Sequence, residues 1–426
     1  MTETERSFYP AEMAAHLARR WAEQNHPAEG LPADDALIVL FDRLYQASLM
    51  REEGEGVKCR IIVASPDDFP QSLVQGVDHL VALRFTESSP FTPHNVRKLA
   101  GAAGYYRAML AVEVRDASPP AIWGMIITGT SWVNRFGSDH FEETPLPPKL
   151  VLQILAPGHL IAASGYTRVF ESTGGKLLTE GFDPFNSHWL PERFSTLRSS
   201  LLEELSGATP GPSATQLCDN FVKDVSQSVI RHVLSLVRTR GHGGILAYLP
   251  DDSDNGVLTN QWFRFRVRFT ADLPSLWFRT LLGRLIKRVL KVGGGLGLPI
   301  CTWNDYRKMH DAEIAELDEA LIGLGHFLAD LMCVDGALVL GSDFRLIGFG
   351  GEILGELPVF KIHRALDLEA ESSLMEPADT SGTRHRSAYR LVSGARDTIA
   401  VVVSQDGDVR FVAHHLGQLT YWPYLP

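Results

Sequence analysis

The spacing of apolar and polar residues divides the chain into stretches of two kinds. Residues 10–24 and 33–52 carry apolar positions three and four apart. Pro10 suits a first helical turn, Ala36, Leu40, Leu44 and Leu49 fall on or near one face, and the spacing predicts two helices. From about Val57 to Leu178 the pattern changes to short apolar runs bounded by turn residues. These are Arg60–Ala64, His79–Phe85, Tyr106–Val114, Ile122–Ile127, Leu150–Ile154 and Leu160–Ala163, with a short helix expected over Val96–Gly104. This half reads as an α/β or α+β domain with a mainly buried sheet.

Ser206–Ser213 is rich in small and chain-breaking residues and reads as a linker. Beyond it, Val222, Val225, Val229, Val233 and Leu236 mark a helix, and Gly243-Gly244 opens an apolar strand, Ile245–Leu249, stopped by Pro250. A helix running into a buried strand marks a second α/β domain. The expected division is 1–205, a linker at 206–216, and 217–426. Phe263–Phe269 alternates strictly between apolar residues and arginine. That pattern fits an edge strand blunted by charge, or a cationic strand facing a nucleotide or acidic partner. Leu276–Val292 predicts an amphipathic helix with a solvated basic face, and Gly293–Gly297 its stop rather than a phosphate loop. Leu317, Leu321, Leu324, Leu328 and Leu331 form the stripe of a further helix ending near Cys333. Strands then follow at Ala337–Leu340 and Arg345–Phe349, a helix at Ser387–Leu391, and a hairpin of Thr398–Ser404 with Val409–Ala413.

Composition narrows the function classes. The 426 residues hold 40 Lys+Arg against 51 Asp+Glu, a net charge of −11, so non-specific nucleic-acid binding is disfavoured and an anionic ligand needs a local basic cluster. The four cysteines, Cys59, Cys218, Cys301 and Cys333, lie far apart, which supports neither a disulfide framework nor a zinc site. The polar start is no secretory signal and no apolar run reaches transmembrane length, so the expected location is cytoplasmic, without membrane contact.

One segment supplies such a cluster: Gly382-Thr383-Arg384-His385-Arg386. Guanidinium forks give bidentate charge-assisted bonds to phosphate oxygens, a hydroxyl and backbone N–H groups fill the remaining acceptors, and glycine admits a close backbone approach. Asp335-Gly336-Ala337 precedes it, and together the two read as one site. The order of these motifs, with the strand ending Val401-Val402-Val403-Ser404, resembles the diadenylate cyclase (DAC) domain of the DNA-integrity scanning protein and its relatives. The likeness covers roughly Cys218 to Leu425, with an insertion at about 255–310.

The resemblance implies a C-terminal DAC-like α/β domain with a central mixed sheet flanked by helices. It implies that each protomer binds one ATP and that two protomers face each other, so that two ATP condense into cyclic di-AMP and pyrophosphate. It places Asp335 near the attacking hydroxyl and a Mg²⁺ or Mn²⁺ ion. Gly336 and Ala337 would lie against the ribose and phosphate, and Gly382, Thr383, Arg384, His385 and Arg386 would hold the triphosphate. Two departures from the family pattern stand out. Cyclases carry Ser-Glu where this chain has Ser404-Gln405, and a neutral amide is a poorer ligand for a hard cation, while Asp406 is one residue out of phase. Glu352 stands where cyclases place small apolar residues against adenine, and it is either a base-selecting carboxylate or a surface residue at a strand end. Both departures point to the sensor-like variant of the superfamily, the DACNV type. The expected function is therefore sensing of a nucleotide or cyclic dinucleotide in bacterial signalling or defence, with an active diadenylate cyclase as the alternative. The implied partners are the nucleotide and, for cyclisation, a homodimer or higher homo-oligomer.

Overall fold

A computed structural model describes residues 8–69, 80–103, 108–115, 118–128, 146–177, 183–195, 199, 201, 215–250, 257–355, 358–405 and 407–424. The chain divides into two compact units, Met1–Arg135 with Asp139–Thr179, and Phe136–Ser138 with Glu180–Pro426. Each is a mixed α/β unit built on one large mixed sheet flanked by helices. The expected linker at Ser206–Ser213, Asp406, and the first residues of the runs beginning at His79 and Tyr106 lie outside the described residues.

In the first unit, α1 (Pro10–Glu23) begins on Pro10 and buries Met13, Ala14, Leu17 and Trp21, the three-and-four spacing of one helix face. Helix α2 (Asp34–Ser48) stops short of residue 52, because Arg51–Glu52 and Glu55–Gly56 form a small hairpin instead. With α3 (Pro93–Ala100), these helices share a core with one face of the sheet, including Cys59, Ile61, Leu110 and Leu152. The strands are β1 (Cys59–Val63), β2 (Val81–Pro90), β3 (Ala108–Arg115), β4 (Ser118–Ile127), β5 (Leu150–Ala156), β6 (His159–Ser164), β7 (Thr167–Thr173) and β8 (Lys176–Leu177). They lie in the order β8-β7-β6-β5-β1-β3-β4-β2. Among the described residues of this unit β1 and β3 are the one parallel pair, and the other pairings are antiparallel.

In the second unit, α4 (Phe221–Arg240) buries the expected valine stripe and ends on Gly241, whose left-handed backbone (φ +71°) closes the helix. Its strands are β9 (Gly244–Leu249), β10 (Phe263–Arg268), β11 (Ala337–Gly341), β12 (Leu346–Ile353), β13 (Lys361–Ala365), β14 (Ser373–Pro377), β15 (Ile399–Val403), β16 (Val409–His415) and β17 (Gln418–Tyr424). The sheet order is β10-β12-β11-β9-β15-β16-β17-β13-β14. Strands β9, β11 and β15 are buried along their whole length, which is why they read as unbroken apolar runs rather than alternations.

The alternating Phe263–Phe269 segment supplies the edge strand β10 and exposes its arginines. Arg264 pairs with Glu352 at 3.2 Å and Arg268 donates to Asn260 at 2.8 Å. Helix α5 (Trp277–Gly295) runs three residues past the expected Val292, through Gly293–Gly295, before the chain turns at Gly297 with φ +72°. Helix α6 (Ala312–Met332) is capped by Asp311, which accepts from the backbone of Glu313 and Ile314 at 3.1 Å and is held by Arg288 through a two-pronged pair at 2.8 and 2.6 Å. The hydroxyl of Tyr306 donates to Asp318 of the same helix. Residues 183–194 pack on this second sheet. Arg231 of α4 covers the Phe185 ring at 4.4 Å and pairs with Asp183 at 2.7 Å, and Trp189 stacks on Trp422 at 4.3 Å.

Candidate functional site

Helix α7 (Thr383–Gly394) carries the basic motif in its first turn. Its buried positions are His385, Ala388, Tyr389, Leu391 and Val392, and the last four pack with Ile245, Ala247, Ala337, Val339, Ala400 and Val402 in one core. That face fixes the rest of the turn: Gly382, Thr383 and Arg386 are exposed and Arg384 is half-buried. Gly382 is the N-cap and, having no side chain, leaves the first-turn N–H groups without a side-chain cap; the first turn also holds no acidic residue. Uncapped N–H groups and the helix dipole together favour an anion here.

Asp335-Gly336 forms the turn between α6 and β11. Gly336 holds φ +108°, and a Cβ there would stand 2.5 Å from the carbonyl carbon of Gly350 and 2.8 Å from the nitrogen of Gly351. Gly350 is itself at φ +61°, and the β11–β12 register shifts beside it. The double glycine of β12 is therefore the space into which Gly336 folds, and Asp335 is left wholly solvent-exposed at the start of β11. Arg384 reaches it: Nη2 lies 4.0 Å from Asp335 Oδ1, so two motifs almost fifty residues apart in sequence meet at the N-terminus of α7. Ala337, by contrast, is fully buried as a core strand residue.

Ser404 closes the β15–β16 hairpin. Its Oγ accepts from the backbone N–H of Asp408 at 3.0 Å, and its own N–H donates to the Asp408 carbonyl at 2.8 Å. Gln405 is exposed in this turn. Gly243, at φ +67°, packs below the hairpin; a Cβ there would stand 2.6 Å from the Val403 carbonyl oxygen. The N-terminal ends of the parallel strands β9 and β11, the C-terminal end of β15 and the start of α7 thus gather at one end of the sheet.

His385 departs from the expectation that it reaches outward to phosphate, because the helix periodicity turns it into the core. It is buried, its Nε2 has no hydrogen-bond partner, and the nearest carboxylate, Asp408, is 3.8 Å away, too far for a hydrogen bond. Burial, with Arg410 and Arg384 nearby, drives its pKa down to about 4 against the opposing pull of Asp408, so it is neutral at pH 7. Glu352 is not brought to this cluster by any contact. It is exposed and paired with Arg264 across the sheet edge.

Sequence reasoning missed the support beneath the motif. Arg410 of β16 donates to Asp408 at 2.8 Å and to the Tyr389 hydroxyl at 2.9 Å, and its guanidinium covers the Tyr421 ring at 4.5 Å. The Tyr421 hydroxyl donates to Glu376 at 2.7 Å. Burial opposes the Arg410 charge, but Asp408 and the two tyrosines raise its pKa, so it stays cationic. The available signal was a lone arginine within the apolar run Val409–Ala413.

Among the described residues no helix is long and apolar enough to cross a membrane. A search of curated proteins found no match. A solved structure described as a hypothetical membrane spanning protein from Bacillus cereus is similar at 15% identity, over 55% of this chain and 92% of its own, with a TM-score of 0.23. That score is too low to speak for fold or function. A family model does match, though over the first unit rather than over the C-terminal motifs to which the sensor-like resemblance was attached. Residues 26–127 match the family described as "Probable sensor domain DACNV".

Proposed function

We propose that this protein is a nucleotide-responsive sensor whose second unit holds the phosphates of a nucleotide or cyclic dinucleotide at the N-terminus of α7. The observation that carries this reading is the meeting of Arg384 with Asp335 beside an uncapped helix start. Arg384 and Arg386 supply forks for phosphate oxygens, and Thr383 with the first-turn N–H groups supplies neutral donors. Neutral His385 forms part of the floor. Asp335 offers one carboxylate, and the described residues hold no group of three His, Cys, Asp or Glu suited to a metal. That donor set fits a Mg²⁺ or Mn²⁺ ion arriving with phosphates, not one held by the protein alone. When bound, the ion would neutralise phosphate charge next to Asp335.

Exposed Gln405 at the hairpin favours sensing over turnover, since an amide is a weak ligand for such an ion. The deciding experiment incubates the protein with ATP, or with cyclic di-AMP, and Mg²⁺ or Mn²⁺, then measures binding and separates the products. Stoichiometric binding without turnover is expected, weakened about 10- to 100-fold in Arg384→Ala and in Arg386→Ala, the range for loss of a charge-assisted bond. Cyclic di-AMP accumulating with turnover, and lost in Asp335→Asn, would make the protein a cyclase. No binding of either nucleotide, or binding untouched by both arginine variants, would remove the phosphate site.

A further inference from the structure

The two units repeat one arrangement. Strands β1, β2, β3, β4, β5, β6 and β7 correspond in chain order to β9, β10, β11, β12, β15, β16 and β17. Both sets lie in the same spatial order: seventh, sixth, fifth, first, third, fourth, second. Directions agree as well. The first and third strands are the parallel pair in each unit, and the other five pairings are antiparallel in both. A helix precedes the first strand and another precedes the third in both. The connections differ, between the second and third strands (91–107 against 269–336) and between the fourth and fifth. The latter runs over residues 354–398 in the second unit, where it contains β13, β14 and α7, and over the shorter 128–149 in the first. The basic motif of the second copy lies in this longer excursion.

The first copy has a cavity elsewhere. A groove of about 740 Å³ opens where β1 and β3 end, lined by Ser65 and Asp68 after β1, Glu113 and Arg115 of β3, Asp35 in the first turn of α2, and Lys149 before β5. Its volume falls within the roughly 300–1,000 Å³ of small-molecule sites, and it lies outside the carboxyl ends of parallel strands, where open α/β sheets bind ligands. The same position in the second copy, at Tyr248, Phe344 and Ile399 and the first turns of α4, is almost closed, with about 50 Å³ left. Phe185 and Phe194 fill it, Phe194 packing on Tyr248 at 5.3 Å and on Phe344 at 5.6 Å. One location in a repeated fold is thus plugged with aromatic rings in one copy and left open and polar in the other.

We propose that the open groove of the first unit is a binding site for a small zwitterionic molecule, an amino acid or short peptide. Its charges come as ready-made opposite pairs: Lys149 with Asp68 at 3.2 Å, and Arg115 with Glu113 at 2.8 Å. Such pairs can trade an internal partner for the carboxylate or ammonium of a ligand without leaving a charge unmatched. Asp35, Asp68, Glu113 and Glu29 together outnumber Arg43, Arg115 and Lys149, a balance that disfavours a polyphosphate relative to a ligand of no net charge. This site is independent of the nucleotide site.

The test records the melting of the full-length protein by calorimetry, alone and with millimolar pools of the twenty standard amino acids or of dipeptides. One pool should raise the melting of the first unit by several degrees. The active compound from that pool should bind at least tenfold more weakly to Asp35→Ala and Arg115→Ala, whose ligand-free melting should stay within about a degree of wild type because both side chains are exposed. No shift with either pool, or a shift that survives both substitutions, overturns the proposal.

Discussion

Arg384 and His385 are neighbours in the sequence with opposite surroundings, because one residue along a helix is about 100° of rotation. Arg384 reaches the exposed Asp335, while His385 is turned under the helix and buried beside Tyr389, Asp408 and Arg410. The motif reads as a uniform basic patch until its helix is placed. His385 then gives a pH signature. Its folded pKa of about 4 lies below its ordinary value of 6.5, so in that window the unfolded chain takes up a proton that the folded chain refuses. Stability from this group is complete above about pH 6.5 and falls as the pH drops towards 4, by about 3 kcal/mol at most. Melting curves of wild type and His385→Gln between pH 7 and pH 4 should show the shallower acid loss in the variant. Equal slopes would mean the imidazole is not held neutral.

At the scale of elements, the strongest constraint on the candidate site is the crossing of Gly336 against Gly350 and Gly351. Gly336→Ala combines a left-handed backbone with a Cβ 2.5 Å from a main-chain carbon, neither of which a rotamer change can relieve. It should cost about 2 kcal/mol or more and lower the melting of the second unit by several degrees. Unchanged melting would show that the turn has freedom these contacts deny. The elements themselves were largely legible: the valine stripe of α4, the arginine alternation of β10 and, to within three residues, the glycine stop of α5 follow from local periodicity and chain-breaking residues. Partners were not legible. Nothing local says that Arg410 of β16 lies against Tyr389 of α7, or that residues 183–194 belong with β17, since those contacts join residues far apart in sequence. The same limit hid the matching strand order of the two units, as a topology can repeat while its side chains do not.

For the whole molecule, two units with separate cores should unfold as two events. Calorimetry should resolve two transitions, and ATP at about 100 times its dissociation constant should stabilise only the second unit, by roughly 2.7 kcal/mol. A single cooperative transition, or stabilisation of the first unit by ATP, would contradict this picture.

The sheet of the second unit has unequal borders. On one side β10 presents Arg264, Arg266 and Arg268 to solvent; on the other, β14 exposes Leu374 and Met375, each about half accessible at 51% and 53%. Charge blunts the first border; on the second, Glu376 and the exposed Pro377, which has no N–H to donate, follow directly on the apolar pair. Neither border therefore offers a long unbroken apolar edge to a further strand, one being closed by charge and the other by its shortness and its proline.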